Sequence, residues 1–66
     1  MKTETQRIQD ESFQLGERLI EFADKNYSDS IDNSSEIILA VIRDCGYKIK
    51  RQVEFEKARQ AKTKDR

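Results

Sequence analysis

Residues 45–57 read CGYKIKRQVEFEK. Tyr47, Ile49, Val53 and Phe55 take odd positions, and Lys48, Lys50, Gln52, Glu54 and Glu56 take even ones, with Arg51 spoiling the pattern. Such alternation is the two-residue period of a half-buried strand. A strand needs a partner strand, and the chain offers no convincing second one. The alternation could be real only if two copies paired across a dimer axis. Read as a helix, the same stretch sets Ile49 and Val53 one turn apart and points Tyr47 and Phe55 elsewhere. Helix propensity across VEFEKARQAKTK is high. The sequence therefore predicts a basic C-terminal helix over about 48–62.

Upstream lies the run Ile37-Ile38-Leu39-Ala40-Val41-Ile42, apolar all round. A helix of that kind wants burial on more than one side. Asn33 suits an N-cap, and Glu36 three residues on can reach back to it. Gly46 suits the left-handed position beyond a C-terminus, with Tyr47 folding back onto Ile42 or Val41. A helix over about 34–45 follows from these signals.

Further upstream, Ile8, Leu15, Leu19 and Phe22 recur at helical spacing and predict a helix over about 5–25. Phe13, Ile20 and Ala23 widen its apolar arc. Ser12 and Gly16 also lie inside that arc; Gly16 is either a point of close backbone approach or a tolerated glycine. Lys25 complements the negative end of the helix dipole, and Asn26 offers a left-handed stop. NYSDSIDN, residues 26–33, reads as a polar connector, since Ser, Asp and Asn bond their own backbone in turns.

The fold class expected is all-α: one small domain of two to three helices, in a bundle-like homodimer. A chain of 66 residues buries only about 60% of its unfolded surface, which leaves it marginal. Disulfides, metals or oligomers are the usual remedies. One cysteine, Cys45, allows no intrachain disulfide, and with no histidine a zinc site lacks its ordinary donors. Oligomerisation is the remedy left. The longest apolar run, Ile37–Ile42, is far short of the roughly 20 residues of a membrane span. A lone thiol and no apolar leader point to a reducing cytoplasm.

Catalysis is poorly supported. Without histidine the commonest general base is absent, and Cys45 has nothing to make it a thiolate. The carboxylates Asp10/Glu11 and Glu17/Glu21 read as a solvated helix face. No ligand-sized cleft is expected. Asp24, Asp29 and Asp32 match no calcium loop. No metal and no cofactor are expected.

The net charge of zero hides an asymmetry: residues 1–44 hold five Lys/Arg and ten Asp/Glu, and residues 45–66 hold eight and three. Lys48, Lys50, Arg51, Lys57 and Arg59, with Tyr47 and Phe55 interleaved, could contact nucleic acid or an acidic partner. Glu54, Glu56 and the neutral whole chain count against nucleic acid. Cations that simply face the acidic first helix are the plainer reading. The function expected is a small non-enzymatic regulator or adaptor acting by protein–protein interaction, with itself or another protein. Its expected interface is Leu15, Leu19, Phe22, Ile38, Leu39 and Ile42. The alternative is a nucleic-acid-binding regulator using the basic segment.

Overall fold

A computed structural model describes the backbone of residues 3–64 and the side chains of residues 3–60. Two helices, α1 (Glu4–Asn26) and α2 (Asn33–Lys64), form an antiparallel hairpin joined by residues 27–32. No strand occurs among the described residues, so the chain has the expected all-α class.

α1 starts one residue earlier than its apolar period suggests because Thr3 caps it. The Thr3 hydroxyl accepts from the Gln6 amide at 3.2 Å, and the Gln6 side chain accepts from the Thr3 amide at 3.0 Å. This reciprocal box satisfies two of the amides a helix start leaves unpaired. The expected left-handed Asn26 is not found: among the described residues none has positive φ. The helix instead ends at extended Tyr27, whose amide still donates to Ala23 O at 3.1 Å. Asn26 takes part through its side chain, with Nδ2 donating to Phe22 O at 2.8 Å.

The cap of α2 lies one residue before the Asn33 expected. Asp32 O accepts from the Glu36 amide at 3.0 Å. The Asp32 carboxylate is held below the usual carboxylate range by the Ser35 hydroxyl and by the Ser35 and Ser34 amides. The larger correction concerns residues 46–47. α2 continues through them as one helix of 32 residues, so the separate helices over about 34–45 and 48–62 are a single element. Gly46 is helical, and Tyr47 does not fold back but lies exposed on the same helix. A glycine within a helix costs about 1 kcal/mol relative to alanine, a penalty that packing can override.

That packing is a seam that repeats every seven residues on each helix. Gln9, Gly16 and Ala23 are buried on α1, and Leu39, Gly46 and Val53 on α2. The helices touch at the two glycines. A β-carbon built on Gly46 would lie 2.6 Å from Gly16 O, and one on Gly16 would lie 2.8 Å from Gly46 O. At the open end of the hairpin, Gln9 Nε2 donates to Gln60 Oε1 at 3.2 Å, which satisfies a polar side chain inside the seam. The apparent alternation in residues 47–55 dissolves in this register: Ile49 and Val53 face the seam, while Tyr47 and Phe55 do not.

Candidate protein-interaction surface

The seam divides the hairpin into two unlike faces. Residues one step before a seam position fall about 100° round the helix, and residues one step after fall about 100° the other way. Because the helices are antiparallel, a backward step on either one turns towards the same face.

The forward face is charged and tied across the hairpin. Lys57 Nζ meets Asp10 Oδ1 at 3.3 Å, and Arg43 Nε meets Asp24 Oδ1 at 3.5 Å. Between them Lys50 Nζ sits 5.1 Å from the Phe13 ring centre. Near the loop, the Tyr27 hydroxyl donates to Glu36 Oε2 at 3.2 Å, which raises the Tyr27 pKa above its ordinary value. Exposed ion pairs are worth at most about 1 kcal/mol each, so they select the register and do not drive the fold. At this end a shallow, open groove of about 340 Å³ runs between Tyr27, Glu36, Leu39 and Arg43.

The backward face is apolar. On α1 it presents Ile8, Leu15 and Phe22, each about half exposed at 51%, 50% and 51%, with half-buried Ser12 and Leu19 beside the seam. On α2 it presents Ile38 at 57% exposure, Cys45 and Gln52, with half-buried Ile42 and Ile49 beside the seam. None of these ten residues carries a charge; towards the open end of the hairpin the same register continues into the Glu56–Arg59 ion pair. Val41 extends the surface outward and is itself exposed.

Five of the six residues expected at an interface, Leu15, Leu19, Phe22, Ile38 and Ile42, come together on this face. Leu39 does not: it is buried between the helices and is closed to a partner. Ile8 and Cys45 join the face in its place. The signal for them was the same seven-residue period, legible once α2 is known to be unbroken.

The five cations of the basic segment are dispersed. Lys57 pairs with Asp10, Arg59 pairs with Glu56, and Lys50 lies over Phe13. Lys48 and Arg51 are exposed and make no ion pair among the described residues.

Among the described residues, no group of three or more His, Cys, Asp or Glu side chains is placed to hold a metal ion. Nor is any helix among them long and apolar enough to cross a membrane. No protein-family model, curated protein or solved structure matches the chain.

Proposed function

We propose that the chain is a small non-enzymatic regulator or adaptor that works by protein–protein contact through its apolar face. The observation that carries this reading is the uncharged stripe of Ile8, Leu15, Phe22, Ile38 and Cys45, left open beside a hairpin whose other face is closed by ion pairs. Contiguous apolar patches of this kind mark interaction sites. The hairpin has little core of its own: among the described residues Ala23, Leu39 and Val53 are the buried apolar ones, and no side chain is fully enclosed. Its partner is itself, another protein, or both in turn. A cytoplasmic setting suits the exposed thiol of Cys45, which stays reduced there.

The test places a photo-crosslinking amino acid at Leu15 on the apolar face or at Glu17 on the charged face, in the cells that make the protein. Protein adducts from Leu15 and few from Glu17 are expected. Equal yields from the two positions, or none from Leu15, would overturn the reading.

A second reading rests on Lys48 and Arg51, which are exposed and make no ion pair among the described residues, beside exposed Tyr47 and Phe55. Nucleic-acid binding through them would weaken steeply with salt. The double substitution Lys48→Glu and Arg51→Glu would abolish a mobility shift of labelled DNA or RNA, whereas a protein adaptor is indifferent to it.

A further inference from the structure

We infer that the occupant of the apolar face is a second copy of this chain, packed face to face with its helices antiparallel to the first, on a two-fold axis beside Leu15 and Cys45. This inference rests on the reading of that face as an interaction surface, and it names the partner and its orientation. The product is a four-helix bundle.

Area is the first argument. The hairpin exposes 5642 Å², whereas a compact monomer of 7.8 kDa is expected to expose about 4,400 Å². The excess of roughly 1,200 Å² exceeds the ~800 Å² that each partner gives to a standard interface. The thinnest dimension of the hairpin is 12 Å, too thin for a second helical layer. A second hairpin supplies that layer.

Charge fixes the orientation. On α1, Glu4, Glu11, Arg18 and Lys25 recur every seven residues along the outer edge of the apolar face. Reversal about Leu15 brings Glu11 opposite Arg18 of the other copy, and Glu4 opposite its Lys25. It also sets Ile8 against Phe22. Arg7 already bridges Glu4 and Glu11, but the ion pairs use only Oε2 of each; Arg18 and Lys25 make no ion pair among the described residues. Opposite-charge edges of this kind set partner orientation in helical bundles.

The same axis serves α2. Gly16 and Gly46 stand level at the helix crossing, so Leu15 and Cys45, one residue before each on antiparallel helices, stand within about 3 Å of each other along the hairpin. Reversal about Cys45 sets Ile38 against Gln52 and Ile42 near Ile49, and no charge is forced into the centre. An isologous contact requires a surface that is self-complementary in this way.

Three measurements test the inference together: the mass of the wild-type chain, cross-linking of its single thiol with a short bis-maleimide, and a charge swap at the edge. A dimer that cross-links through Cys45 is expected. Arg18→Glu should weaken its association severalfold, and Glu11→Arg combined with Arg18→Glu should restore it. Circular dichroism confirms that each variant stays helical. A dimer with no Cys45 cross-link and no response to Arg18→Glu would overturn the antiparallel arrangement. A monomer at all concentrations, while a probe at Leu15 still captures a different protein, would overturn the second copy but leave the interaction reading standing. A monomer whose Leu15 probe captures nothing would overturn both.

Discussion

Gly16 and Gly46 lie against each other at the crossing of the two helices, each with the space of its absent β-carbon taken by the other's carbonyl oxygen, at 2.8 Å and 2.6 Å. Neither oxygen can swing aside as a flexible side chain would, so the helices can be this close only while both residues are glycine.

Gly46→Ala and Gly16→Ala should therefore each destabilise the hairpin. Alanine is favoured over glycine in a helix by up to about 1 kcal/mol, but forcing a methyl into a packed contact typically costs about 1–3 kcal/mol. Urea denaturation should show a lower midpoint for both variants, with the larger drop at Gly46, where Ile20 Cγ1 also stands 2.7 Å away. A rise in midpoint for either would mean that the helices do not cross here.

The same glycine shows how far the sequence could be read. Helical content was legible throughout, from propensity and from the spacing of Ile8, Leu15, Leu19 and Phe22. What misled was Gly46. By local rules it ends a helix, and nothing local distinguishes a stop from a crossing point. Only its pairing with Gly16, thirty residues away, gives it an interior role, and that pairing is tertiary. The expectation of two helices where α2 is one follows from this one residue. The cap of α2 was misplaced by one residue, because Asp32 stands next to Asn33, which caps nearly as well.

Adjacent residues on α2 should behave oppositely. Leu39→Ala removes a buried side chain from the seam, and losses of about 2–5 kcal/mol attend such truncations. Ile38→Glu alters the exposed apolar face and should leave helicity near wild type while reducing association. Thermal melts across a range of protein concentration separate the two effects. If Ile38→Glu unfolds the chain as badly as Leu39→Ala at all concentrations, the assignment of faces is wrong.

The N-terminal box makes a local prediction. Thr3→Ala should cost about 1 kcal/mol, the usual loss on removing such a cap. Hydrogen exchange should accelerate in the first turn of α1 and much less at the Gly16 crossing. Uniform acceleration along α1 would indicate that Thr3 contributes to more than the helix start.

Asp32 gives a pH dependence with a definite sign. Its folded pKa is lowered by the Ser35 hydroxyl and the first amides of α2. A lowered pKa contributes stability that is complete above the unfolded carboxylate value of about 3.9 and is lost as pH falls through the lower folded value. Asp32→Asn, which keeps a capping oxygen but cannot titrate, should flatten the fall in stability below pH ~4. An unchanged acid slope would mean that Asp32 does not hold the cap.

Sedimentation equilibrium of the wild-type chain, at low and at high salt, tests the central claim most directly. An apolar interface with a charged edge predicts twice the chain mass of 7.8 kDa in both salts, with at most a modest weakening in the second, since screening reaches exposed pairs and spares buried apolar contact. A fully helical monomer in both would contradict it, because the apolar face of the hairpin would then stand open to water without a second copy to cover it.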